Sequence, residues 1–454
     1  MAQHTHELPR VLTASHAISI VVGIIIGSGI FLVPREMMAA VGSAHTVYAV
    51  WIVAGILSLF GAMTYAEIAA SRPYYGGEYA YLREAYGNLT AFVFMWTQVT
   101  IAKPASIASI AAGVVRVLAN FSAFAFLTRS PLPQLFHGHV VFGQLVAIAF
   151  VWLITGLNIL GTRKAGNTQR ILMLLKVAMV LAVVGLCFLG GHGSLANFAT
   201  HYPAARGGFS GFMVALIAAL WAYDGWSDVT HTAGEIQNPA RNLPIALIGG
   251  VAIVGTLYML TNAAIQFVLP AAAIATADRP ADAAILLIAG PTAAAFFTMA
   301  LAISYGSTFI GSSLTGARIP FAAARDGLFF QSLAYVHPRF RTPSHALILQ
   351  ATVSSLLLLL INTFQGLFSL AIFSEWLFYA AVTASVFVFR HREPNAPRPY
   401  SVTGYPVVPA IFVLCALVLL VFSILDQPRN SLIGTAIILL GIPLHYLLQS
   451  RKPS

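Results

Sequence analysis

The sequence predicts an all-α membrane protein of twelve spanning helices in a single domain, and three observations lead there. Apolar residues make up 58% of the 454 and charged residues only 8%, whereas a soluble domain is about 25% charged. With a mean hydropathy of +0.82, the chain has too little polar surface to stay in water. Apolar runs of the ~20 residues needed to cross a bilayer recur along its length with no long polar stretch between them. The basic residues behind the net charge of +10 sit singly at the ends of those runs, which reads as loop topology and not as a nucleic-acid patch.

Runs bounded by Arg, Pro, Gly or Asn place spans at about 12–40, 45–70, 89–119, 139–161, 168–190, 209–234, 243–269, 291–317, 344–361, 367–389, 405–425 and 431–449. The short polar stretch Met1 to Arg10 leads into the first run without a small-residue cleavage site, so that run is expected to stay as a helix. Of the 24 Lys and Arg residues, two fall within spans; the others divide six to one side and sixteen to the other. Basic loops resist translocation, so the richer side, with both termini, is expected on the cytoplasmic side of a cell inner membrane. Cys187 and Cys415 both lie in apolar runs and read as small core residues, with no CxxC or disulfide framework.

Six ionisable residues fall within spans: Lys103, Lys176, Glu67, Asp224, Asp228 and Glu375. Charge in hydrocarbon is costly and usually faces a cavity or a partner. Glu67, near the inner end of the second span, is expected to snorkel to the interface. Lys176 and Asp224 lie too deep in their apolar runs for that.

Two spans are interrupted. The first reads Val21-Val22-Gly23-Ile24-Ile25-Ile26-Gly27-Ser28-Gly29-Ile30-Phe31, and its Gly27-Ser28-Gly29 triplet frees the backbone to unwind and offer amides to a carboxylate. A close-packed face between helices is the other reading of such small residues. The sixth reads Trp221-Ala222-Tyr223-Asp224-Gly225-Trp226, an acid beside a glycine among large aromatics. A discontinuous helix exposes carbonyls at the end of its first half, which suit an ammonium. Interruptions at matching places in two halves of a chain point to a transporter site, and amides facing carbonyls suit a zwitterion.

These breaks belong to a longer series of motifs. In order they are Gly23-x-Ile25-x-Gly27-Ser28-Gly29-Ile30-Phe31, Tyr65-Ala66-Glu67 and Gly76-Gly77-Glu78-Tyr79-Ala80-Tyr81. After the Trp221–Trp226 motif come Glu235-x-x-Asn238-Pro239-x-Arg241-Asn242-Leu243-Pro244, Arg398-Pro399-Tyr400 and Gly404-Tyr405-Pro406. In order and spacing the chain resembles the amino acid–polyamine–organocation superfamily, and within it the L-type amino acid transporters and their bacterial relatives, over roughly residues 15–450.

The resemblance implies a LeuT-like fold. Its inverted repeat of five plus five helices would run over about 12–190 and 209–389, followed by a C-terminal pair at about 405–449. It implies substrate contacts from the backbone around Ile25, Gly27, Ser28 and Gly29, from the carbonyls of Trp221 and Asp224 beside Gly225, and from Phe373 and Trp376 at the distal end. Trp221 stands where the family has an aromatic gate. Lys176 stands where sodium-independent members carry a lysine, its ammonium replacing a bound cation and tying the fifth helix to backbone near Gly23. Two readings of Asp224 stay open, an attractor for a cationic side chain or an acceptor that only shapes the break. The roles of Lys103-Pro104 and Glu375 stay open as well.

The loop after the third span, about Phe121 to Gly138, has no cysteine. The disulfide-linked heavy chain of eukaryotic L-type exchangers is therefore not an expected partner; amino acid substrates and the lipid bilayer are. The expected function is sodium-independent transport of L-amino acids by alternating access, as an exchanger of neutral and, through Asp224, cationic substrates. A proton-coupled symporter is the alternative, and it needs Lys176 or an intramembrane acid to titrate during the cycle. A membrane enzyme, a metal or a cofactor is not expected, since HExxH, CxxC and GxSxG are all absent. A channel would show repeated pore-lining rings rather than two breaks.

Overall fold

The computed structural model describes residues 8–27, 29–119, 121–129, 142–360, 364–426 and 428–450. Among them every regular element is helical, and the only β pairing is two isolated bridges, Leu12 with Ile236 and Ser43 with His201.

The first expected span is two helices, α1 (Ala14–Ile25) and α2 (Gly29–Val41), bent by 40° at the break. Thr13 N–H donates to His16 Nδ1 at 3.1 Å and starts α1. Ser43 Oγ accepts from Thr46 N–H at 3.3 Å and starts α3 (Ala44–Ser71). After a tight turn come the short α4 (Glu78–Tyr86) and then α5 (Asn88–Thr97). One π-helical turn, Gln98–Ala102, joins α5 to α6 (Lys103–Leu118), and the three run as one span. A π turn inserts a residue and shifts the register of the helix beyond it, a device common at functional sites.

The short α7 (Phe126–Arg129) precedes α8 (Phe142–Ile159) and the long α9 (Thr162–Leu189). The sixth span is again broken: α10 (Gly208–Ala222) ends in a turn and continues as the 3-10 segment Trp226–Glu235. Next are α11 (Pro239–Val268), α12 (Ala271–Thr276) and α13 (Pro280–Gly316). Helix α13 turns sharply at Gly290, so the span expected from residue 291 is only its second part. Helices α14 (Arg318–Arg325), α15 (Ser344–Leu360), α16 (Phe364–Arg392), α17 (Val407–Asp426) and α18 (Pro428–Ser450) complete the chain.

Among the described residues nine helical stretches are long and apolar enough to cross a membrane, ten when α1 and α2 count as one. The sequence predicts twelve; α15, at 17 residues, and α16 occupy the ninth and tenth places. Helix α1 packs along α9 and α11, α13 along α9 and α6, and α16 between α6 and α17.

The interior corrects one expectation. Glu67 does not snorkel: it is 3% exposed and takes Arg390 Nε at 2.8 Å, Arg390 Nη2 at 2.6 Å and the Val402 N–H at 2.7 Å. A helix-end acid with a guanidinium and an amide available gains more from them inside than from water. Of the two cysteines, Cys187 is buried and Cys415 half-buried.

Candidate functional site

The first break is legible in its hydrogen bonds. In a continuous helix Gly27 N–H would donate to Gly23 O; here it donates to Ile25 O at 2.7 Å. That frees the Gly23 carbonyl, deep in the protein, and a buried acceptor needs a donor. Two arrive from other helices: Lys176 Nζ of α9 at 2.8 Å and Thr308 Oγ1 of α13 at 3.3 Å. Lys176, 2% exposed, also donates to Thr308 Oγ1 at 3.0 Å. The ammonium thus occupies the corner between α1, α9 and α13.

The second break turns on Gly225. Its φ of +100° lies in the left-handed region, which a side chain strongly disfavours. A Cβ there would stand 2.4 Å from Ile24 Cγ2, and one on Gly29 would stand 3.2 Å from Ala222 Cα. The two breaks therefore touch, glycine against the partner helix on each side. Tyr258 of α11 clamps them: its hydroxyl reaches Ile25 O at 2.9 Å and Ala222 O at 2.8 Å, the last carbonyls of α1 and α10.

Between the breaks lies a cavity of about 90 Å³. Ile25, Gly27 and Gly29 line it from one side, and Trp221, Asp224 and Gly225 from the other. Tyr305, Thr308 and Ser312 of α13 and Ser106 of α6 add hydroxyls. At about 30 Å³ of liquid volume per water that is room for roughly three waters, the scale of a small amino acid.

One end of the cavity is charged. Lys103 Nζ lies 2.5 Å from Asp228 Oδ1 and 3.5 Å from Glu375 Oε1. Asp228 also takes Thr315 Oγ1 at 2.9 Å, and Glu375 takes Gln98 Nε2, from the π turn, at 3.2 Å. Tyr379 donates to Asp224 Oδ1 at 2.7 Å.

On the face that carries Leu8 a buried ion pair bridges the helices. Arg318 and Glu235, both fully buried, pair at 2.7 and 3.1 Å, and Arg318 Nη2 holds Thr162 Oγ1 at 2.9 Å. Leu12 N–H donates to Glu235 O at 3.0 Å beside that pair. A recess of about 990 Å³, lined in part by Leu8, Tyr75, Arg83, Gly234 and Arg325, opens beyond it. Toward the opposite face, a smaller cavity of about 30 Å³ meets the central one at Tyr305.

Most of the residues singled out from the sequence meet here. Ile25, Gly27, Gly29, Trp221, Asp224 and Gly225 line one cavity, and Gly23 and Lys176 bond directly behind it. Ser28 lies outside the described residues, as does the side chain of Phe373 on α16. Trp376 does not line the cavity; it is 8% exposed and stacks on Phe412 of α17, with centroids 5.8 Å apart. Tyr258 had no signal in the sequence, and neither did the pairing of Lys103 with Asp228 and Glu375.

A polytopic helical membrane protein with two broken helices meeting at a small polar cavity has the architecture of a substrate carrier. The chain matches the amino acid permease family model over residues 12–447 and belongs to that family. Its members are transporters, not enzymes, and their fold is LeuT-like. It is 29% identical over 458 residues to the serine/threonine exchanger SteT of Bacillus subtilis (strain 168), covering 99% of this chain and all of that one. It is likewise 29% identical over 456 residues to the b(0,+)-type amino acid transporter 1 of Mus musculus, covering 98% and 88% of the two chains. To the large neutral amino acids transporter small subunit 2 of Mus musculus it is 30% identical over 446 residues, covering 95% and 79%.

Proposed function

We propose that the protein exchanges L-amino acids across the cell inner membrane by alternating access, without sodium, and with both termini cytoplasmic. The observation that carries this reading is the meeting of two interrupted helices at one cavity. Amides in the first turn of α2, from Gly29 onward, meet the substrate carboxylate, and carbonyls at Trp221 and Asp224 meet its ammonium. Trp221, beside Gly29 at the cavity wall, closes over the bound molecule. Lys176 stands in for a coupling cation: its fixed charge on Gly23 O ties α1 to α9 without an ion from solution. The buried Arg318–Glu235 pair is the seal that opens when the substrate is released inward. Residues 12–190 and 209–389 act as the two inverted repeats, each beginning with its broken helix, and 405–449 as a C-terminal pair. The carrier works without a disulfide-linked heavy chain.

The cavity's size and its hydroxyl lining favour small neutral amino acids, with Asp224 able to face a second ammonium. The experiment is uptake of labelled amino acid into proteoliposomes. Uptake that requires internal amino acid and is unchanged when choline replaces sodium supports the reading. Uptake into empty vesicles driven by a sodium gradient refutes it.

A further inference from the structure

The cavity is not balanced in charge. Among the described residues, Asp224, Asp228 and Glu375 line it against one ammonium, Lys103, while Lys176 is engaged with Gly23 O behind α1. Water in an empty cavity solvates this excess of negative charge. An amino acid that fills the space removes that water, and a zwitterion brings no net charge to replace it. Uncompensated carboxylates in a dry membrane interior are too costly to persist, so a positive charge has to enter with the substrate.

The three acids are not equally held. Asp228 has the short contact to Lys103 and a hydroxyl donor, and Asp224 has Tyr379 and stands at the break where the substrate ammonium arrives. Among the described residues Glu375 has only the longer contact to Lys103 and one amide. The groups that face it are Lys103 from α6, Asp224 and Asp228 from the segment after α10, and Glu78 from α4. Glu78 is tied to Tyr65 OH at 2.7 Å and to His231 Nε2 at 2.9 Å. Tyr379 lies one turn further along α16.

A second, independent feature points to the same carboxyl. Gln98 is 2% exposed, and among the described residues its Oε1 has no hydrogen-bond donor although its Nε2 touches Glu375. A buried acceptor left bare is costly. A carboxylate can only accept, but a carboxylic acid both accepts and donates. A proton on Glu375 places an O–H donor beside Gln98, where the carboxylate offers only acceptors.

We propose that Glu375 is a proton-binding site of the transport cycle, taking up one proton when a neutral amino acid fills the cavity and losing it when the amino acid leaves. The step forms one O–H bond at a Glu375 carboxylate oxygen and breaks one O–H bond of a hydronium ion, leaving water, with no change of oxidation state. It deepens the reading above and rests on it. Exchange of two neutral amino acids then carries a proton in both directions and is indifferent to a pH gradient, so the proton has to be counted on binding.

The test is isothermal titration calorimetry of the purified protein with the neutral amino acid that competes best for uptake, in buffers of different ionisation enthalpy, from acid to alkaline pH. Wild type is expected to take up about one proton per bound amino acid on the alkaline limb, kept below the pH at which the free amino acid loses its own ammonium proton, and affinity there falls about tenfold per pH unit. Glu375→Gln, which mimics the protonated side chain, is expected to take up none and to bind with no pH dependence on that limb. A structural role alone would shift affinity without changing the proton count. Binding to wild type with no proton uptake at any pH overturns the proposal, and so does an undiminished count in Glu375→Gln. Should that variant not fold, the wild-type count decides, and Glu375→Asp is expected to keep the uptake. If no neutral amino acid competes at all, it is the transport reading that fails.

Discussion

Replacing Lys176 with methionine isolates what the ammonium does, because methionine fills nearly the same volume with no charge. In the wild type the ammonium makes two buried hydrogen bonds, to Gly23 O at 2.8 Å and Thr308 Oγ1 at 3.0 Å. Only the first reaches the break. A hydrogen bond to a charged group contributes about 1.5–3 kcal/mol, and about 1.4 kcal/mol is a factor of ten. The state in which α1 is tied to α9 should therefore lose about ten- to a hundredfold in relative population. Overall stability should move far less, because the desolvation cost of a buried ammonium, several kcal/mol, disappears with it. Gly23 O keeps Thr308 as a donor. The assay pairs exchange rate in proteoliposomes with substrate affinity in detergent. The expected outcome is exchange slowed at least tenfold, affinity within a few-fold, and a melting temperature near that of wild type. A Lys176→Met protein that exchanges within twofold of wild type would refute the reasoning.

Three further predictions come from neighbouring contacts. Tyr258→Phe removes one hydroxyl that serves two carbonyl ends, so it should cost about 1–3 kcal/mol and weaken substrate binding, read by thermal denaturation and by titration; an unchanged affinity would show that the clamp does not set the site. Gly225→Ala places a Cβ 2.4 Å from Ile24 Cγ2 at a φ of +100° and should abolish uptake even where folded protein is recovered, and near-normal uptake would mean the break tolerates helical backbone. Arg318→Met should destabilise by about 3–5 kcal/mol because it strands Glu235 as a buried charge. Adding Glu235→Gln should restore part of that loss while leaving the inner seal leaky, measured as faster substrate-free labelling of cysteines introduced behind it.

The two breaks are legible in the sequence because unwinding a helix inside a bilayer demands unusual residues, and Gly27-Ser28-Gly29 and Asp224-Gly225 are unusual. Lys176 is legible for the same reason: a lone ammonium in an apolar run has to find acceptors, and Gly23 O is one of them. The clamp by Tyr258 is not, since a tyrosine in an apolar helix looks like core until its hydroxyl is seen between carbonyls 233 and 36 residues away in sequence. Lys103, Asp228 and Glu375 are each visible as buried charge, but three helices from distant parts of the chain set who pairs with whom. Glu67 departs from the snorkelling expectation because its partners, Arg390 and Val402, are more than three hundred residues away. The kink at Gly290 moves the start of a span, since a glycine before a proline marks a turn without saying whether helix continues ahead of it.

The central claim is that backbone dipoles at the two breaks hold opposite ends of a zwitterion, and blocking one end of the substrate at a time tests it most directly. Competition for uptake is measured with the preferred amino acid, its N-acetyl derivative and its carboxamide. Both blocked forms are expected to lose at least a hundredfold in affinity, each having lost one charge-assisted set of contacts of about 3 kcal/mol. If either one competes as well as the free amino acid, that end of the substrate is not held by the break assigned to it, and the account is wrong.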